Sequence, residues 1–214
     1  MKYEWSCVKK NLHANATQLE SSTLSILKLS YNHLLSHLKS CFANCSLFPK
    51  DYEMDKETII QLWIAQGFIQ LSNENQRLED VGDEYFKHLV WRSFFEEVTN
   101  SWKGLKYKMH DLIHDLAQSI VGIKCKLIDF DDKNINAKIL HVSCPFLIGP
   151  SFTETLSSLV KVEKIHTFLL TYDKRGSGVL EESMLNILVL SFRSLRAFDL
   201  HELKITRILD SVEN

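Results

Sequence analysis

Apolar residues recur at three- and four-residue intervals through most of the chain up to residue 122, and in short bursts after it. Between Thr23 and Cys45, the positions Leu24, Leu27, Tyr31, Leu34, Leu35, Leu38, Cys41, Phe42 and Cys45 keep a helical period. They predict one bent helix or two in series, stopping at Phe48-Pro49. Asp55 reads as the N-cap of a helix over Lys56–Gln66, with Ile59, Ile60, Trp63 and Ile64 as its apolar stripe and Gly67 as its C′ residue. After the polar run SNENQ, a helix from about Leu78 to Trp91 buries Leu78, Val81, Tyr85, Phe86, Leu89 and Val90. Two strand candidates, Phe94–Val98 and Leu105–Lys108, flank the turn-rich TNSWKG, where Gly104 suits a positive φ. Helices followed by a hairpin describe a winged helix.

The next stretch, YKMHDLIHDLAQSI, predicts a strongly amphipathic helix. Met109, Leu112, Ile113, Leu116, Ala117 and Ile120 fall on one face, with His110 and His114 at its edge and Asp111 and Asp115 outside. Beyond Gly122 the character changes. Lys124–Asn136 is polar and mixed, and the bursts ILHVS, IHTFLL, LNILVLSF and LRAFDL follow. LRAFDL fits the strand signature L-x-x-L-x-L with Phe198 in the middle place, and IHTFLL offers Ile165, Phe168 and Leu170 there. The fold class expected is mainly α with a small β wing, followed by the start of an α/β leucine-rich-repeat solenoid. Its segments are a tail of a preceding helical subdomain (1–20), the winged helix (21–122), a linker and irregular segment (123–158) and an incomplete repeat region (159–214).

Composition narrows the chemistry. The 214 residues are 45% hydrophobic and 24% charged, with a net charge of −2, which exerts no general pull on nucleic acid or anionic membrane. Five cysteines without CxxC spacing argue against a disulfide framework or a zinc ribbon, Cys41 and Cys45 read as buried thiols of a reducing compartment, and no apolar run approaches membrane-spanning length. The expected setting is cytoplasmic. Histidines at 110 and 114 share a helix side as in zinc hydrolases, so a metal-dependent hydrolase using His110 and His114 is one reading. It lacks the glutamate base, since Asp111 follows His110, and no third-ligand motif is present. DNA reading by the third helix is opposed by Glu79, Asp80, Asp83 and Glu84 against Lys87 alone. The chain holds no G-x-x-x-x-G-K-[ST] loop to cradle a nucleotide for hydrolysis. A histidine at a helix start remains, where unpaired N–H groups and the positive end of the dipole favour an anion.

Three blocks in order, CFANCSLFPKD, LWIAQGFI and YKMHDLIHDLA, resemble motifs of plant nucleotide-binding leucine-rich-repeat disease-resistance proteins, coiled-coil class. The resemblance is strong over about residues 20–122 and implies a fragment covering the winged-helix subdomain and the first repeats. It implies that His110, in a Met-His-Asp motif, contacts the β-phosphate of bound ADP, with Met109 packed inward and Asp111 orienting the loop. Exchange for ATP then opens the receptor. Gln66 stands where the family usually has Glu, and Leu35 where it commonly has proline, so the first helix is expected to run on unbroken there. The implied partners are the remaining nucleotide-binding core and, through further repeats, a pathogen effector or guarded host protein. No nucleic acid and no membrane span are expected. Without the nucleotide-cradling loop, ADP or ATP belongs to the intact receptor and is not expected to be retained by this chain alone. The function expected is non-catalytic: sensing ADP/ATP state and coupling it to the repeats in defence. The alternative is a truncated interaction module docking on full-length receptors.

Overall fold

A computed structural model describes residues 23–199 except 74, 101–103, 129–131, 133–134, 145–151, 163 and 172–181. The tail expected over 1–20, Trp102 and Lys103 of the wing turn, and residues 200–214 lie outside the described residues.

The first helical pattern resolves into two helices in series, α1 (23–32) and α2 (Ser36–Asn44). The expectation of an unbroken helix at Leu35 is corrected: this residue is extended, with φ −64° and ψ 153°, and is the N-cap of α2. Leu34 and Leu38 are buried on either side of the break, while Leu35 itself points to solvent. A 3-10 turn (Cys45–Leu47) leads to Phe48 and Pro49. Helix α3 (Lys56–Gln66) starts after Asp55, whose carboxylate makes no cap bond and instead pairs with Lys106 of the wing. It ends at Gly67, left-handed at φ 72° as a C′ glycine should be.

Helix α4 (Leu78–Trp91) buries Val81, Phe86 and Leu89, with Leu78, Tyr85 and Val90 packed against the core. The hairpin is β1 (Glu96–Asn100) against β2 (Gly104–Lys108), antiparallel, and Met54 adds a bridge to Tyr107 through Met54 N–H to Tyr107 O at 2.7 Å and the reverse bond at 3.0 Å. The strand starts two residues later than the apolar pattern implies. Phe94 and Phe95 are core residues, Phe94 tilted against Phe42 at 4.7 Å and Phe95 stacked on Phe86 at 5.2 Å. Helix α5 (Asp111–Val121) then lays Ile113, Leu116 and Ala117 into the core.

The segment expected as a linker is structured, a second correction. It supplies β3 (Cys125–Leu127), β4 (His141–Cys144) and α6 (Phe152–Leu159). With β5 (Thr167–Leu170) and β6 (Ala197–Asp199) the strands form a parallel sheet in sequence order, α7 (Glu182–Ser191) lying between the last two in sequence. Three-residue β3 is too short to leave a periodic signal. Strand β5 is buried at all four positions, because both faces of the sheet are covered. Phe168 and Leu170 join a second core with Ile165, Val142, Leu159 and Leu188, whereas Leu169 joins the winged-helix core.

The two layers meet at the end of α3. Gln66, buried, donates from Nε2 to Thr167 Oγ1 at 2.9 Å and to the His166 carbonyl at 3.5 Å, and Arg196 reaches the Gln66 carbonyl at 3.4 Å. Helix α3 is therefore covered on two sides, by α4 and by the sheet. A Cβ at Gly82 of α4 would sit 2.6 Å from Ile60 Cγ2 and 2.8 Å from Ile69 Cδ1, so only glycine allows that approach. Gly82→Ala is expected to cost about 2–3 kcal/mol through overpacking against a gain of roughly 1 kcal/mol in helix propensity, a net destabilisation of about 1–2 kcal/mol. A urea melt that shows Gly82→Ala as stable as the parent would refute the close packing.

Candidate functional site

The site is built where β2 hands over to α5. Tyr107, buried, ties β2 to Met54 and meets Phe86 edge-on at 4.7 Å, which fixes the end of the wing. Met109 comes next and is buried, so the backbone is pinned one residue before the helix. His110 follows as the N-cap, extended at φ −62° and ψ 147°, with its carbonyl accepting from the Ile113 and His114 N–H groups. Its Nδ1 accepts from the Leu112 N–H at 3.4 Å. A neutral imidazole that accepts at Nδ1 carries its proton on Nε2. The exposed ring thus offers an N–H donor at the positive end of an eleven-residue helix. Asp111, exposed, is the acidic residue of the first turn.

Met109, His110 and Asp111 are thus brought together, with one inward and two outward side chains. His114 parts from them. Far from lying at the helix edge, it is buried, and its Nε2 donates to the Phe48 carbonyl at 2.8 Å. That bond places the proton on Nε2 and leaves Nδ1 buried with no partner, so the ring is held neutral. Burial lowers its pKa, the Phe48 bond opposes this, and Lys50 adds to the lowering. With Nε2 committed to Phe48, His114 cannot share a metal with the exposed His110 through that nitrogen. Among the described residues no group of three or more His, Cys, Asp or Glu is arranged to hold a metal ion.

His114 fastens α5 to the FPKD turn, and two neighbours reinforce it. Gln118 donates to the Ser46 carbonyl at 2.6 Å, and Lys50 pairs with Asp115 at 2.6 Å. Sequence reasoning missed this second polar row of α5. Its signal was present, because positions 114 and 118 lie four apart beside the apolar stripe. The thiols of this region are inert: Cys41, Cys45 and Cys125 are buried, and burial pushes Cys41 to about 12 and Cys125 to about 11.

Asp83 lies between Lys87 at 2.6 Å and Lys56 at 2.9 Å, and these bonds, Lys87 first, hold its carboxyl below the usual range. The acidic face of α4 is therefore partly neutralised by its own neighbours. No described helix is long and apolar enough to cross a membrane.

Helices α2 to α4, the hairpin and histidine-capped α5 make a winged-helix domain. Residues 47–117 match the family model described as the winged-helix domain of disease resistance proteins. The chain is 52% identical over 116 residues to disease resistance protein RGA2 of Solanum bulbocastanum, covering 54% of this chain and 12% of that protein. It is 40% identical over 172 residues to putative disease resistance protein RGA4 of the same species, covering 80% and 17%. It is 31% identical over 211 residues to putative disease resistance RPP13-like protein 1 of Arabidopsis thaliana, covering 96% and 19%. The chain belongs to the plant nucleotide-binding leucine-rich-repeat disease-resistance proteins of the coiled-coil class. It spans less than a fifth of the length of these curated relatives.

Because the folded pKa of His114 lies below its unfolded value, its neutral burial stabilises the fold fully above about pH 6.5. That contribution is lost as the pH falls from there through the folded pKa. His37, His141 and His166 shift in the same direction. His114→Gln, which keeps a donor for Phe48 and does not titrate, should therefore flatten stability against pH below 6.5 by one group's share. His114→Ala should cost about 1–3 kcal/mol by leaving the Phe48 carbonyl unpaired. Denaturant melts from pH 8 to 5 check both, and an unchanged slope in His114→Gln would reject the assignment.

Proposed function

We propose that the chain is a regulatory, non-catalytic segment of a plant intracellular immune receptor, in which the start of α5 senses whether ADP or ATP is bound. The observation that carries the reading is the His110 cap: Nδ1 is occupied by the Leu112 N–H, which leaves an Nε2–H donor facing out at a helix N-terminus. A phosphate oxygen is the acceptor such a donor and such a dipole favour. The residues fit a nucleotide phosphate in chemistry, with His110 as the contact, Asp111 beside it and Met109 as the inward anchor. Bound nucleotide would supply the charge whose change the histidine reports. Exposed Ile26 and Leu29 on α1, and Leu35 beyond it, favour a further apolar partner there, which in the intact receptor is the nucleotide-binding core.

The parallel sheet supports a repeat reading for the rest. Ile165, Phe168 and Leu170 face one core, and Leu195 and Phe198 pack against that same core from the following strand. His141 pairs with Thr167 and Thr167 with Ala197, so equivalent places recur once per strand. We read β4 to β6 as the first turns of a leucine-rich-repeat array, which in the intact receptor reads a pathogen effector or a guarded host protein. The Gln66–Thr167 bond is then the route by which movement of the winged helix reaches the repeats.

Two measurements test the two halves. With residues 23–199 grafted into an intact relative, His110→Ala should lower co-purified ADP about tenfold or more, the loss expected for a hydrogen bond to a charged group. Exposed His33→Ala should leave it unchanged, and full ADP occupancy in His110→Ala would exclude a sensor role. Gln66→Leu should leave the winged helix folded but speed amide exchange over Thr167–Leu170. Equal exchange in parent and variant would remove Gln66 as the coupling residue.

A further inference from the structure

A cleft of about 400 Å³ opens where α2, the end of α3, the start of β3 and the strand-leading residues of β4 to β6 converge. Its polar lining is Asn44, Gln66, Lys124, His141, His166 and Arg196, together with Ser40. Four of these groups are cations or can become cations, and no carboxylate is among the described lining residues. At its inner side stands Asn44, buried at 4% exposure, whose Nδ2 has no hydrogen-bond partner among the described residues. An amide donor withdrawn from water and left unpaired normally has a missing acceptor opposite it.

The hydrogen bonds around the cleft orient its rings. Thr167 Oγ1 accepts from Gln66 at 2.9 Å and lies 2.9 Å from His141 Nδ1. A hydroxyl that accepts from Gln66 keeps its own hydrogen available for Nδ1, and in that arrangement the His141 proton sits on Nε2. His166 stands edge-on to His141 at 5.9 Å between ring centres. Burial first, then His166, Arg196 and Lys124, push His141 down to about 4, and burial with Arg196 lowers His166. Lys124 and Arg196 therefore carry the charge at this cleft, beside two neutral imidazoles and with no carboxylate among its described lining residues.

We propose that this cleft binds a small, multiply charged phosphate anion of the polyphosphate class. Lys124 and Arg196 supply fixed charge at the mouth, His141 and His166 supply imidazole donors, and the Asn44 amide closes the inner end. The ligand would touch α2 and α3 on one side and the sheet on the other, and so would clamp the two layers across the Gln66 seam. This site is separate from the α5 N-terminus and does not depend on His110.

Calorimetric titration of the full chain with inorganic pyrophosphate at pH 7.5 tests the site, with sulfate at equal concentration as comparison. The expected result is saturable pyrophosphate binding, sulfate at least tenfold weaker, and pyrophosphate-induced shifts of the His141 and His166 imidazole nitrogen resonances. The double variant Lys124→Gln/Arg196→Gln, at two exposed positions, should weaken binding tenfold or more, while His110→Ala leaves it unchanged. Absence of heat and of imidazole shifts, equal affinity for sulfate, undiminished binding in the double variant, or loss of binding in His110→Ala would each overturn the proposal.

Discussion

Helix α3 is apolar on more than one side because two layers need it. Ile59, Ile60 and Trp63 are buried, as a single amphipathic stripe would require, but so is Leu62, which turns toward the sheet beside Ala197 and Phe198. A helix with only one buried face would have left the sheet without a floor. Gly82 lets α4 close on one side, and Gln66 supplies the polar contact on the other. The winged helix and the sheet thus share a wall.

The placement of His110 follows from that wall at one remove. Phe86 of α4 contacts Trp63, Phe95 and Tyr107, so the wing is held by the same aromatic cluster that fills the core. Tyr107 fixes β2, Met109 is buried next, and the helix that starts at Asp111 is fastened by His114 to the Phe48 carbonyl. An exposed side chain is given a defined position by buried neighbours on both sides of it in sequence. That is what a phosphate contact requires of a surface histidine.

The winged helix was legible because long amphipathic stripes and an αL glycine announce themselves. Lys56–Gln66 and Leu78–Trp91 were bounded to the residue, and the apolar stripe of α5 was complete in the sequence. The cap position of His110 could be placed from the end of the wing strand. Its tautomer could not, since that depends on the Leu112 N–H. His114 was misplaced because a polar residue bordering an apolar stripe reads as flank until its partner is known, and Phe48 lies 66 residues away. Strand β3 was hidden in the polar stretch Lys124–Asn136 for a related reason, whereas β4 falls on the burst ILHVS but inside the segment expected to be irregular. A three-residue strand carries almost no period, and His141 and Ser143 face a layer that supplies partners rather than apolar cover. Cleft residues drawn from α2, α3 and three strands have no common spacing at all.

The break between α1 and α2 has a consequence in the unfolded chain. Leu35 holds φ −64° and ψ 153°, a polyproline-like conformation whose φ proline fixes in advance and which leucine adopts as one of several open to it. The chain therefore gives up more backbone freedom on folding at this joint than a proline-bearing chain would. Buried Leu34 and Leu38 supply the compensation, one on each side of the break. The corner is held by packing, so a change that shrinks Leu34 or Leu38 acts on the joint between α1 and α2 as well as on the core.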